Sequence, residues 1–234
     1  MGQHGEYRIL VIRLPAIAVA LGLLPVPVPA CGLELVLAMD VSRSVINDEF
    51  DLQMGGLANA LRHAEIIEAI GWTPGGVMMT LTQWSGPSQQ NQSVGWRHLT
   101  TPESIRAFAH EVDTARRDFY QSYTAIGEAL WHANTLSATN PRRCKRRVID
   151  VSGDGASNRG REPADIADAL AANGVTINAL VIRGARPDPA QYYLDNVVRG
   201  PGAFIEIAST FHDYARAIQQ KLLRELTPAL ASRE

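Results

Sequence analysis

The sequence predicts a three-layer, Rossmann-like doubly wound α/β fold: a mostly parallel six-stranded sheet with one antiparallel edge strand and helices on both faces. Three observations carry that reading. Short, nearly continuous apolar runs recur at Leu33–Met39, Val77–Trp84, Val148–Ser152 and Val175–Ile182, the pattern of strands covered on both sides. Segments whose apolar residues return every three or four positions, as amphipathic helices require, alternate with most of these runs. The exception is the pair Val77–Trp84 and Val94–Leu99, joined by Ser85–Ser93. That connection is too short for a helical crossover, so the third strand is an antiparallel edge.

The elements follow in order. After the first strand, Asn47 with Asp48 and Glu49 supplies a cap and an acidic first turn. Phe50, Met54, Leu57, Leu61, Ala64 and Ile67 form one stripe, which predicts a single helix to about Ile70, ended by Gly71 and Pro74-Gly75-Gly76. Helices are expected from Pro102 to about Thr114 and from Ala125 to about Leu136, the latter with Ile126, Ala129, Leu130 and Ala133 on one side. A helix at Pro163–Ala172 separates the fourth and fifth strands. A short helix at Gln191–Val198, a sixth strand at Ala203–Ile207 and a last helix at Phe211–Leu226 complete the chain. No internal repeat, low-complexity tract or interdomain linker interrupts it.

Composition narrows the function. A chain of 234 residues with 46% hydrophobic and 20% charged content makes one or at most two globular domains and excludes disordered, collagen-like and coiled-coil classes. Lys and Arg number 22 against 24 Asp and Glu, so the net charge of -2 offers no bulk attraction to nucleic acid or an anionic membrane. The two cysteines, Cys31 and Cys144, exclude a disulfide-dense scaffold and a multi-cysteine zinc module.

The first thirty residues read as a secretory signal: Arg8 and Arg13, then an uncharged stretch over Leu14–Pro29, then Val28-Pro29-Ala30 before Cys31. Pro15, Pro25, Pro27 and Pro29 break that stretch, which is too short for a membrane span, and nothing later is long and apolar enough to make one. The reading is therefore a leader over 1–30, a domain over 31–228 and a tail over 229–234, in an exported protein, periplasmic or secreted, with no stable membrane span once the leader is removed. Loss of Arg8, Arg13 and Glu6 with the leader takes the charge from -2 to -3. A buried N-terminal helix and a lipidated Cys31 are the competing readings.

In doubly wound sheets binding residues gather beyond the carboxyl ends of the strands. The first strand runs into Asp40-Val41-Ser42-Arg43-Ser44, whose i, i+2, i+4 spacing turns one carboxylate and two hydroxyls the same way. Oxygen-only donors of this kind suit a hard cation. Alone, the segment is equally a helix cap with an acid on backbone amides. The fourth strand runs into Ser152-Gly153-Asp154-Gly155, which brings a second carboxylate, and Tyr123-Thr124 precedes the Ala125 helix.

This constellation resembles the von Willebrand factor type A domain with its metal-ion-dependent adhesion site: D-x-S-x-S after the first strand, a Thr before a helix, an Asp after the fourth strand. The matching residues are Asp40, Ser42, Ser44, Thr124 and Asp154, and the likeness extends from Cys31 to about Leu226. The strand-one and strand-four segments, Leu33-Glu34-Leu35-Val36-Leu37-Ala38-Met39-Asp40-Val41-Ser42 and Arg146-Arg147-Val148-Ile149-Asp150-Val151-Ser152-Gly153-Asp154-Gly155, look like a bacterial exported branch catalogued only as a domain of unknown function. Gly153, between the serine and the acid, departs from the usual pattern and leaves Asp150 as a weaker candidate, placed in the strand as a buried, paired acid. The resemblance implies hydroxyl contacts from Ser42, Ser44 and Thr124 to Mg²⁺, or to Mn²⁺ or Ca²⁺, with Asp40 and Asp154 acting through water and hydrogen bonds. Such an ion, poorly neutralised, accepts an acidic side chain of an unidentified partner protein. The function implied is metal-dependent protein binding. A metal-assisted hydrolase of the cell envelope and a structural envelope protein with a vestigial site are the alternatives.

Other signals are weaker. Gly153-Asp154-Gly155-Ala156-Ser157-Asn158 lacks the last glycine of a dinucleotide fingerprint, Gly155–Arg159 has Arg where a nucleophile elbow needs glycine, and no histidine is tied to a catalytic motif. Arg142, Arg143, Lys145, Arg146 and Arg147, placed before strand four, read as a solvated rim rather than a nucleic-acid site. Cys31 precedes Asp40 by nine residues and Cys144 precedes Asp154 by ten. With strands one and four neighbours, as the family's topology has them, both cysteines reach the end of the sheet opposite the metal, close enough to bridge. Two free thiols or a lipidated Cys31 are the alternatives. Trp84, Gln89, Gln90 and Gln92, at and within the Ser85–Ser93 loop, form either a partner-facing rim or an ordinary solvent loop.

Overall fold

Along the first strand, successive side chains point to opposite faces of the sheet, and each face finds its own apolar layer. The computed structural model describes residues 1–2, 30–120 and 123–227; the leader at 1–30 falls almost wholly outside these, and the 229–234 tail entirely. The strands are β1 (Cys31–Asp40), β2 (Val77–Trp84), β3 (Gln90–Leu99), β4 (Cys144–Gly153), β5 (Val175–Ile182) and β6 (Ile205–Ala208). The helices are α1 (Asn47–Arg62), α2 (Ala64–Trp72), α3 (Pro102–Asp113), α4 (Ile126–Leu136), α5 (Pro163–Ala172), α6 (Pro189–Asn196) and α7 (Tyr214–Leu226). The sheet order is β3-β2-β1-β4-β5-β6, with all neighbours parallel except the β2–β3 hairpin. The expected fold class is the observed one. Among the described residues no helix is long and apolar enough to cross a membrane.

Leu33, Leu35, Leu37 and Met39 of β1 pack with α1, α2, α3 and α7, whereas Val36 and Ala38 pack with residues of α4, α5 and α6 on the opposite face. The central strands are thus apolar on both sides, as their continuous runs require. Register sets the geometry of the ends. Cys31 pairs with Cys144 and Met39 with Ser152, so β1 and β4 start and finish together. Cys31 and Cys144 form a disulfide with Cα atoms 4.4 Å apart, at the end of the sheet away from Asp40 and Asp154.

Several expectations are corrected. The single helix over 47–70 is two helices, because His63 takes an extended conformation (ψ 139°) that resets the helical phase. In α2 the buried residues are then Ile66, Ala69 and Ile70 rather than Ala64 and Ile67, which places two large side chains in the core. Strand three begins at Gln90, not Val94, since its first residues pair with β2 by backbone bonds that need no apolar alternation on an edge. Asn47 is not the cap of α1. Glu49 accepts the backbone N–H of Ile46 at 2.9 Å, while the Asn47 side chain accepts a hydrogen bond from Arg117. Likewise Lys145, Arg146 and Arg147 lie within β4 rather than before it.

Beneath α7 a buried charge cluster joins helix to sheet. Lys221 Nζ lies 2.6 Å from Asp150 Oδ1 and 2.6 Å from Glu225 Oε1, and Asn178 Nδ2 donates to Glu225 Oε1 at 2.8 Å. Asp150 is thus the buried, paired acid that its place in the strand predicts. Burial, and then the Asp150 charge, push the Glu225 carboxyl up to about 7. Because this folded-state value is raised, the stability it confers is fully present below the unfolded value near 4.5 and is lost as pH rises through about 7. Thermal melts should show that decline between pH 5 and 8, and Glu225→Gln should flatten it. Lys221→Met should cost about 3–5 kcal/mol in chemical denaturation, because it strands two buried acids without a cation.

Candidate metal centre

Strand ends and three loops bring the five residues to one place. The backbone N–H of Ser42 donates to Asp40 Oδ1 at 2.7 Å, which folds the chain after β1 into a tight turn. Ser44 Oγ donates to Asp154 Oδ1 at 2.7 Å, and the Ser42 and Ser44 hydroxyls stand 3.3 Å apart. Thr124 Oγ1 donates to Ser42 Oγ at 3.3 Å. Asp40, Ser42, Thr124 and Asp154 are buried, whereas Ser44 is exposed at the mouth. A cavity of about 640 Å³ lined in part by Ser44, Asp154 and Arg183 opens from it. Neither Ser44 nor Thr124 serves as a helix cap: the N-cap positions of α1 and α4 are held by Ile46 and Ala125.

The electrostatics of this cluster call for a cation. Asp40 Oδ2 is buried without a hydrogen-bond partner among the described residues, and an unpaired buried carboxylate oxygen is costly. Burial, and then the Asp154 charge, push the Asp40 carboxyl up to about 8, and burial also raises that of Asp154. Two acids in one dry site resist ionising together unless a positive charge joins them. Among the described residues no three His, Cys, Asp or Glu side chains cluster to hold a metal. The donors are three hydroxyls and two carboxylates, oxygen ligands that fit Mg²⁺, Mn²⁺ or Ca²⁺.

Residues outside the five hold them in place. Arg117 donates to the carbonyls of Val41 and Ser42 at 3.0 and 3.1 Å, clamping the turn after β1. It is itself set by Gln83 at the end of β2, whose amide donates to Arg116 O at 2.8 Å and accepts from Asp118 N at 3.0 Å. Gln53 of α1, fully buried, donates to the carbonyl of Asp40 at 3.4 Å. The Thr124 loop is tied to the segment after β4: Thr124 N donates to Asn158 Oδ1 at 3.0 Å, and Asn158 N returns a bond to Thr124 O at 2.9 Å. None of these carries a spacing signal, because each reaches its partner across a loop or between neighbouring strands.

Gly153, the departure from the family pattern, has a steric cause. A Cβ at this position would collide with the Tyr193 hydroxyl and stand 3.2 Å from Asp40 Oδ2. Tyr193, fully buried on α6, thereby packs under the site, and its hydroxyl has no hydrogen-bond partner among the described residues.

The expected rim fares differently. Trp84 is fully buried and offers a partner no surface, because its position at the end of β2 places it in the core beside α4. Gln89 Oε1 accepts from Gly86 N at 3.2 Å, and Gln90 Nε2 donates to Gly86 O at 2.7 Å, so both amides close the hairpin turn. Gln92 Nε2 donates to Thr80 Oγ1 at 2.8 Å across the β2–β3 pair. The side chains exposed around the metal end are instead Ile46, Tyr120 and Tyr123, with Arg117 4.9 Å from the Tyr120 ring and Arg159 4.7 Å from the Tyr123 ring.

Comparison with known proteins bears on this geometry. A family model described as "Protein of unknown function (DUF1194)" matches residues 30–230. The chain belongs to that family. Comparison with curated proteins returns no match. Among solved structures, this DUF1194 member is similar to proximal thread matrix protein 1 from the mussel byssus, solved with a zinc-occupied MIDAS motif. The TM-score is 0.61 at 16% identity over 84% of this chain and 46% of that one, so the chain spans less than half the length of the mussel protein. It is also similar to the vWF domain of the type V pili tip protein Mfa5 from Porphyromonas gingivalis, with TM-score 0.60 and 10% identity over 88% of this chain and 100% of that one. Manganese-loaded TRAP protein from Plasmodium vivax matches with TM-score 0.52 and 17% identity over 83% of this chain and 73% of that one. The DUF1194 chain therefore has the von Willebrand factor type A fold.

Gly153→Ala should destabilise the protein by about 1–3 kcal/mol through overpacking. Removing the obstructing hydroxyl with Tyr193→Phe should recover much of that loss, as a double-mutant cycle by chemical denaturation would reveal.

Proposed function

We propose that this protein is an exported, metal-dependent protein-binding module. Asp40, Ser42, Ser44, Thr124 and Asp154 hold a divalent cation, Mg²⁺ or else Mn²⁺ or Ca²⁺, and an acidic side chain of a partner protein completes its coordination. The observation that carries the reading is the buried, unpartnered Asp40 Oδ2 beside three converging hydroxyls and a second carboxylate. Bound there, the cation supplies a strong Lewis-acidic point charge at the surface of an otherwise buried site. The protein side chains do the rest. With Asp40 and Asp154 acting through water, the groups that would touch the ion are three neutral hydroxyls, which leave its charge open to an anionic oxygen from outside, while the Arg117 clamp and the Thr124–Asn158 ties keep the hydroxyls oriented.

The surface around the site supports an acidic partner. Arg43, Arg117 and Tyr120 line a cavity of about 400 Å³ next to the Asp40–Ser44 turn, with Arg159 and Arg183 nearby at the same end of the sheet. Arginines and exposed aromatics are residue types enriched where proteins bind proteins, and the arginines favour a partner carrying further carboxylates beside the one that reaches the metal. The disulfide suits an oxidising compartment and so supports export. The similar solved structures include a pilus tip domain and a matrix protein, which supports adhesion over hydrolysis.

Calorimetric titration with Mg²⁺, Mn²⁺ and Ca²⁺ should detect binding of at least one ion, and Ser42→Ala with Thr124→Ala should weaken it by at least about tenfold while preserving the fold. Capture of a partner from the exporting cell should require the divalent ion, fail with chelator, and fail with the double variant. Unchanged ion affinity in that variant would sink the proposal.

A further inference from the structure

Tyr193 and Asp40 each bury an oxygen against the same glycine. The Asp40 carboxyl is half held: Oδ1 accepts the backbone N–H of Ser42 at 2.7 Å, whereas Oδ2 has no hydrogen-bond partner among the described residues. The Tyr193 hydroxyl, fully buried on α6, likewise has none among them. Asp40 and Gly153 follow the paired residues Met39 and Ser152 at the ends of β1 and β4. By strand alternation both lie on the face that carries Val36, Ala38, Ile149 and Val151, and Tyr193 packs into that same face. A Cβ on Gly153 would collide with the Tyr193 hydroxyl and stand 3.2 Å from Asp40 Oδ2. The two oxygens therefore flank the one position that Gly153 leaves without a side chain, within reach of each other across a single water.

The chemistry of the two groups is complementary. Burial, and then the Asp40 and Asp154 charges, push the Tyr193 hydroxyl well above the usual phenol range, so it keeps its proton and meets a carboxylate as a donor. Left apart, a buried hydroxyl and a buried carboxylate oxygen each carry an uncompensated desolvation cost, and a bond between them removes both. Internal waters commonly make such links. With Oδ1 fixed by Ser42 and Oδ2 by Tyr193, the plane of the Asp40 carboxyl is set on both sides. A carboxylate oxygen accepts more than one hydrogen bond, so this contact leaves Asp40 able to act on the cation side as well. On the metal-binding reading above, we propose that Tyr193 is a positioning residue for the metal centre: its hydroxyl supplies, directly or across one water, the hydrogen bond that Asp40 Oδ2 lacks. Gly153, by carrying no side chain, keeps that passage open. The hydroxyl touches no ion; it holds Asp40 ionised and oriented for one.

Tyr193→Phe keeps the ring in its apolar setting and removes only the hydroxyl. Titration calorimetry of the disulfide-bonded protein with Mg²⁺, Mn²⁺ and Ca²⁺ at one fixed pH should show the affinity for the bound ion lowered by about tenfold in this variant, the effect of losing a group that orients a metal ligand. Circular dichroism should show the parental fold. Tyr192→Phe, which alters the neighbouring, partly buried ring, should leave the ion affinity unchanged. A high-resolution crystal structure of the ion-free protein should show the Tyr193 hydroxyl and Asp40 Oδ2 hydrogen-bonded directly or through one ordered water. Unchanged ion affinity in Tyr193→Phe, whether or not its stability falls, would leave Tyr193 a packing role alone and overturn the inference. An equal loss of affinity in Tyr192→Phe, or a crystal structure with neither bond, would overturn it as well. A parent protein that binds no divalent ion would instead defeat the metal reading itself, and the parental titration separates that outcome from the other three.

Discussion

Two carboxylates crowded at the ends of adjacent parallel strands are the constraint on which the rest of this molecule turns. The β1–β4 register brings Asp40 and Asp154 to the same end, and burial removes the water that would screen them. Asp40 responds with a carboxyl pushed up to about 8 and an oxygen left without a partner among the described residues. A core position would ordinarily be filled by an apolar residue at less cost. Keeping two acids there, with hydroxyls around them, fits the cation site proposed above.

Much of the surrounding structure reads as support for that device. Gln83 fixes the backbone on both sides of Arg117, Arg117 holds the carbonyls of the turn after β1, and Asn158 ties the Thr124 loop to the segment after β4. Tyr193 packs into the space that Gly153 leaves. Such ties restrict the hydroxyls before any ligand arrives, which lowers the ordering cost of binding. The far end of the sheet is held differently, by the Cys31–Cys144 disulfide and by the Lys221–Asp150–Glu225 cluster that fastens α7. Arg146 and Arg224 line a cavity between two strands and the last helix there, so that each end of the sheet presents a separate polar cavity.

The fold was legible because its signals are local, and the five residues of the proposed site because together they resemble a family pattern. Continuous apolar runs mark strands buried on both faces, and a carboxylate with hydroxyls at every second residue marks a strand end turning toward a ligand. The boundaries that failed are those where apolar patterning is silent. The first residues of β3 and of β4 are polar and pair through their backbones, and the break at His63 has no glycine or proline to announce it.

Asp40, Ser42, Ser44, Thr124 and Asp154 stand out in the linear chain only as a constellation that resembles a family pattern, whereas the doubly wound alternation and the two cysteines with their matched spacing are read directly. Folding alone settled which residues surround them. Trp84 went into the core, Gln89 and Gln90 closed a turn, and Tyr120 and Tyr123 came to the surface beside arginines. Arg117, Asn158 and Tyr193 joined the site from distant segments, and Arg146 of β4 met the last helix at the carbonyl of Glu225. The physical reason is range. Periodicity and capping act over a few residues, whereas a hydrogen bond between loops or a steric fit under a glycine exists only once strand order and register have brought remote positions together.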